Sequence, residues 1–210
     1  MSHSFAAAVG SNASSPLAQL FENARDSASS EQDRDVISKL ESAVMDKLRQ
    51  ETQPHHTGGE VFVSPVFFPS EDSFHHLINT LNKAERSLDI CVYCITDDQL
   101  ASAIIRAHER GVRVRIISDD EKADDLGSDA KRLAEHEQIP VRLDGSPSYM
   151  HHKYAIIDDE LVLFGSYNWT KGARFHNRED LTLTNSQNAV QSFKREFEKL
   201  WREFAPNELE

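Results

Sequence analysis

Cysteine is nearly absent: Cys91 and Cys94 are the only two in 210 residues. Two thiols cannot build a disulfide framework, so the chain must rely on a packed core and suits a reducing compartment. Long apolar runs are missing as well. None approaches the roughly 20 residues needed to span a bilayer, so no transmembrane anchor is expected. No secretory signal is visible, and the first 24 residues hold no Lys or Arg, which argues against a mitochondrial presequence. These absences predict an intracellular, cytoplasmic protein. Positive charge is also scarce. Lys and Arg number 23 against 35 Asp and Glu, giving a formal net charge of −12. Nothing global advertises a polyanionic partner, so any grip on phosphate must come from a local cluster.

The length suits one domain with a tail. Residues 1–33 are rich in Ala, Ser and Asn without sustained periodicity and read as a disordered tail. Residues 34–59 read as a helix over Asp35 to Gln50 followed by a linker, with Val36, Ile37, Leu40, Val44 and Leu48 forming the helical stripe. This acidic, amphipathic helix fits a dimer or domain-packing element better than a membrane-surface helix, which is usually basic. Residues 60–206 form the expected domain, and 207–210 its C-terminal end.

Within that domain helix and strand signals alternate. "EVFVSPVFF" opens as a strand, and Phe74, Leu77, Ile78 and Leu81 mark a helix. "LDICVYCI" is a continuously apolar strand. Thr96 and Gln99 suggest a capping box for the next helix, which Gly111 closes. "VRVRIIS", "DAKRLAEHE" and "IPVRL" read as strand, helix and strand. A hairpin, the strand "DLTLT" and a helix striped by Val190, Phe193, Phe197, Leu200, Trp201 and Phe204 complete the chain. The fold class is α/β, a mixed β-sheet flanked by helices.

The hairpin, Tyr149 to Thr170, carries the chemistry: "YMHHKYAIIDDELVLFGSYNWT". Alternate strand residues share a face, so His151 and Lys153 project together and His152 points away. Asp158 sits in the turn. The return strand brings Gly165, Ser166 and Asn168 back beside the His-x-Lys pair. An imidazole, an ammonium, a hydroxyl and an amide then surround one tetrahedral group. Lys153 supplies positive charge to nonbridging oxygens, and Ser166 and Asn168 donate hydrogen bonds to them. A neutral imidazole can attack phosphorus, and an imidazolium can protonate the departing oxygen. Glu179 is placed to hold the imidazole's other nitrogen.

The pattern H-x-K-x4-D followed by G-S-x-N resembles the signature of the phospholipase D superfamily. "YMHHKYAIID", "GSYNWT" and "NRED" resemble its single-motif branch, which includes Nuc-type endonucleases and the Zucchini-type mitochondrial cardiolipin hydrolase. The likeness runs from about Val61 to Pro206. It implies an α/β/α sandwich and a metal-independent phosphodiesterase without cofactor, working through a phosphohistidine on His151. It further implies that Lys153 and Asn168 bind phosphate with Ser166 assisting, that Glu179 orients the histidine, and that Asp158 supports the site. The chain holds one motif copy, so the resemblance implies a homodimer with a shared active site. Two family features are missing: an N-terminal membrane helix, and the zinc-binding insertion some members carry after "FFPS". A mitochondrial association therefore rests on the resemblance alone.

Other features read plainly. Cys91 and Cys94 lie three apart on a strand and face opposite ways, so buried free thiols are expected rather than half of a zinc site. The scattered His-His pairs are not read as metal ligands. Arg113 and Arg115 alternate on one strand and fit either a phosphate-facing groove or a strand-edge surface. Lys171, Arg174 and Arg178 follow the motif closely and are candidates for gripping a polyanion. On this basis the leading expectation is an endonuclease on single-stranded RNA or DNA. The alternative is hydrolysis of cardiolipin or a related anionic phospholipid, which apolar residues at the groove's mouth would favour. A catalytically silent scaffold fits poorly with an intact set of motif residues.

Overall fold

The computed structural model describes residues 16–52, 60–123 and 128–209. Two units divide the chain, the first ending at Pro54 and the second beginning at His55.

In the first unit, α1 (Pro16–Asp26) packs against α2 (Glu31–Thr52). Phe21 is buried there, and Arg25 pairs with Glu41. This corrects the expectation of disorder through residue 33. Leu17, Leu20, Phe21 and Ala24 recur at helical spacing, a short stripe that the surrounding Ala, Ser and Asn obscure. Ser30 caps α2 by accepting the Asp33 N–H at 3.1 Å, so the helix starts four residues earlier than expected. Residues 1–15 and most of the expected linker lie outside the described residues.

In the second unit seven strands form one mixed sheet: β1 (Val63–Phe68), β2 (Ser87–Val92), β3 (Arg113–Ser118), β4 (Val141–Leu143), β5 (Lys153–Ile157), β6 (Leu161–Gly165) and β7 (Glu179–Thr184). Their order is β1-β7-β6-β5-β2-β3-β4, with β2, β3 and β4 parallel and the other neighbours antiparallel. Every residue of β2 is buried, as a central strand covered on both faces requires. One face carries α3 (Glu71–Asn82), α4 (Asp98–Glu109), α6 (Ala130–Glu135) and α7 (Lys171–Phe175), packed over Leu88, Ile90, Ala155, Leu163 and Leu181. The other is covered by α8 (Gln187–Glu203), whose Val190, Phe197 and Leu200 pack on Cys91, Tyr154 and Val162. A short α5 (Asp120–Ala123) follows β3. The expected α/β/α sandwich is the observed fold.

Two local expectations need correcting, on α4's cap and on Arg115, and the C-terminal end has a place of its own. Asp97, not Thr96, caps α4; its carboxylate accepts the Gln99 N–H at 2.9 Å. The C-terminal end is tied to the sheet: Glu208 bridges to Arg142, and the Leu209 N–H donates to the Val141 carbonyl at 2.9 Å. Arg115 lines no groove. It donates twice to Asp89 at 2.8 Å and once to Glu198 at 2.6 Å, and lies over the rings of Phe197 and Trp201. This pairing pins α8 to the sheet.

Asp89 is 1% exposed, so it cannot lose its main cation cheaply. Arg115→Met should lower unfolding free energy by about 3 kcal/mol in urea titrations, with Arg113, 3.8 Å from Asp89, compensating only in part. Adding Asp89→Leu should recover much of that loss. A double variant no more stable than Arg115→Met would contradict the buried-charge account.

Candidate active site

The hairpin turn fixes the register on which the site depends. Asp158 and Asp159 take positive φ of 56° and 60°, a conformation open to Asp in tight turns. The Asp158 carboxylate accepts the backbone N–H groups of Glu85, Arg86 and Ser87 at 3.0, 2.6 and 2.8 Å. Burial works to raise its pKa, but these bonds and Arg86 win and hold it below the usual carboxylate range. Asp158 therefore does not reach the reacting centre. It clamps the loop entering β2 to the β5–β6 turn, while Lys153 stands at the other end of β5.

At that other end the expected alternation holds. His151 lies edge-on to the Tyr93 ring at 4.8 Å, and the Lys153 ammonium lies 5.2 Å from the same ring. His152 turns the opposite way and meets Tyr154 at 5.5 Å. The Lys153 ammonium also donates to the His151 carbonyl at 2.9 Å.

The return segment is held by close backbone contact. A Cβ on Gly165 would sit 2.3 Å from the Asp180 carbonyl, so the glycine serves the approach of β7. Ser166 and Tyr167 N–H groups both donate to that carbonyl. Tyr167 and Trp169 are fully buried, Tyr167 stacking on Phe68 at 3.9 Å. The Trp169 carbonyl accepts the Thr96 and Asp97 N–H groups at 2.9 and 3.1 Å. Asn168, between two anchored aromatics, is thus held in place, and its buried Oδ1 has no partner among the described residues.

Glu179 does not bond the His151 imidazole. Its carboxylate accepts the Ser166 hydroxyl and the Asn177 amide, the latter at 2.9 Å. It also faces Lys153: burial lowers the lysine's pKa from its usual value, and Glu179 pulls it part of the way back. Ser166 in turn accepts the Asp180 N–H, so its hydroxyl braces Glu179.

The three basic candidates separate. Arg174 is buried, stacked 3.6 Å from the Phe74 ring and paired with Glu71 and Asp97; it is a packing residue and not a polyanion contact. Exposed Lys171 pairs with Asp98 at 2.6 Å. Arg178 alone of the three has no ion pair among the described residues. Cys91 and Cys94 are buried and form no disulfide, with burial pushing the Cys91 thiol up to about 12.

Sequence reasoning missed Tyr93 and an open cavity of about 470 Å³ lined by Tyr149, Met150, His151, His152, Leu200 and Phe204. Tyr93 was legible in principle: it ends the apolar run of β2 where the strand reaches the motif.

The family model described as "Cardiolipin synthase, PLD-like domain" matches residues 77–201. The chain belongs to the PLD-like family. It is 42% identical to the mitochondrial cardiolipin hydrolase of Chlamydomonas reinhardtii, over 63% of this chain and 59% of that protein. It is 38% identical to the Xenopus tropicalis protein of the same name, over 69% and 73% respectively. The chain thus spans less than two thirds of the first of these relatives. Two solved structures share the fold. NucT from Helicobacter pylori has a TM-score of 0.63 and 30% identity, covering 69% of this chain and 98% of its own. Nuc from Salmonella typhimurium, a phospholipase D family member, has 0.65 and 26%, covering 69% and 96%.

If turnover needs the Lys153 ammonium, its depressed pKa gives an alkaline limit. A lowered pKa means the ammonium gives up its proton below the usual 10.5. The alkaline limb of kcat/KM should therefore fall below that value, and Lys153→Arg should move it upward while keeping measurable turnover. An alkaline limb unmoved by Lys153→Arg would assign it to another group.

Proposed function

We propose that this protein is a phosphodiesterase of the phospholipase D type that hydrolyses a glycerophospholipid such as cardiolipin. The observation that carries this reading is the rim beside His151. Of the three cations expected to grip a strand, Arg174 is buried, exposed Lys171 pairs with Asp98, and Arg178 alone has no ion pair among the described residues. The adjoining cavity is walled in part by Tyr149, Met150, Leu200 and Phe204. A nucleic acid presents a charge at every nucleotide and needs a cationic track; a lipid presents one or two phosphates and an apolar body. The names of the curated relatives point the same way. They also support a mitochondrial association over the cytoplasmic one expected from composition. No helix among the described residues is long and apolar enough to cross a membrane.

In this mechanism a His151 nitrogen attacks phosphorus, and the P–O bond to the alcohol breaks as that oxygen takes a proton from a second imidazolium. Water then attacks the phosphohistidine, the P–N bond breaks, and the water's proton passes to the second imidazole. Lys153 and Asn168 stabilise the charge on the nonbridging oxygens. The sequence holds one copy of the H-x-K-x4-D motif and so one such imidazole per chain. The acid is therefore His151 of a second copy, across a twofold axis. Single-stranded nucleic acid is the second reading, supported by the shared fold with NucT and Nuc.

Purified protein in excess EDTA should release phosphatidic acid from cardiolipin vesicles and cut a labelled single-stranded oligonucleotide far more slowly. The reverse preference would sink the lipid reading. Loss of all activity in EDTA with rescue by zinc or magnesium would sink the metal-independent route.

Assembly has its own test. When wild-type and His151→Ala subunits exchange freely, activity should fall with the square of the wild-type fraction, because each shared site needs both imidazoles. A linear fall would refute sharing.

A further inference from the structure

The cavity beside His151 shares that histidine with the phosphate chemistry described above, and the rest of its lining takes no part in it. It lies where the segment between β4 and β5 meets the C-terminal end of α8, and its volume of about 470 Å³ suits a small ligand group. Charge restricts what can enter. Asp144 and Glu203 bring two carboxylates to the wall, and among the described residues no Lys or Arg lines it. Partial burial lowers the pKa of His152, the histidine on that side, so it adds no lasting positive charge. A second phosphate would meet like charge there. An uncharged hydrocarbon chain would instead cover the edges of Met150, Leu200, Phe204 and the exposed Tyr149 ring.

We propose that this cavity is an acyl-chain subsite, taking one hydrocarbon chain of the lipid whose phosphodiester sits at His151. The inference rests on the lipid reading, and its test is a binding measurement that needs no turnover. Strand alternation supplies the geometry: His151 and Lys153 face the phosphate cup, while His152 and Tyr154 face α8. A substrate with its phosphorus at His151 therefore has an apolar wall beside it.

Dodecylphosphonate and methylphosphonate share a head group and carry a carbon–phosphorus bond in place of a phosphodiester. Both would be titrated calorimetrically into the whole chain, below the micelle concentration of the longer one. The dodecyl compound should bind about tenfold tighter or more, since burial of two methylene groups alone is worth that factor. Ser148→Trp, at an exposed position on the cavity wall, should remove the chain's advantage and leave methylphosphonate binding unchanged. Equal affinities in the wild type, no measurable dodecylphosphonate binding, or an advantage surviving in Ser148→Trp would each overturn the proposal. So would competition by tetramethylammonium, which would assign the carboxylate-lined cavity to an ammonium group. Chain-dependent binding without cardiolipin hydrolysis would support the subsite while refuting the proposed function.

Discussion

The register of β5 against β2 is the constraint on which the site depends. A slip of one residue would turn Lys153 into the α8 interface and send His152 towards the phosphate. Asp158 prevents that slip from the far end of the strand. Its carboxylate takes three consecutive N–H groups of the loop entering β2, which ties the turn of one hairpin to the start of another strand. The spacing between lysine and aspartate in the motif then has a mechanical meaning. It is the length of one short strand, with Lys153 at one end and the Asp158 anchor at the other.

A similar economy governs the return segment. Gly165 lets β7 approach, Tyr167 and Trp169 enter the core, and exposed Ser166 and half-buried Asn168 are left between them. Each polar group is positioned by its buried neighbours, so the cup is rigid without any direct bond to His151. Glu179 joins the brace through Ser166. Its expected contact with the imidazole is replaced by one with the neighbouring hydroxyl.

Much of this was legible because period-two alternation is a local property. The hairpin, the fully buried β2 and the α8 stripe each declare themselves within a few residues. What escaped sequence reasoning depends on partners far along the chain. Arg174 reads as a surface cation after the motif, yet Phe74, Glu71 and Asp97, from two other helices, draw it inside. Arg115 is taken by Asp89 and Glu198 in the same way. Helix α1 was hidden for a different reason: its apolar stripe is short and lies within a composition that favours disorder.

These captured arginines also bear on substrate class. Placed at the surface, Arg174 would add a cation near the cup; buried, it leaves Arg178 and the paired Lys171 of the three cations that follow the motif. The two sides of the sheet then differ at the same end. One presents Lys153, Ser166, Asn168 and Glu179, and the other presents Tyr149, Met150, Leu200 and Phe204 around a cavity. His151 lies at the boundary between them. The lipid proposed above is divided in the same way, with a phosphodiester for one side and hydrocarbon for the other, whereas a polyanionic strand or a small polar diester would use one half.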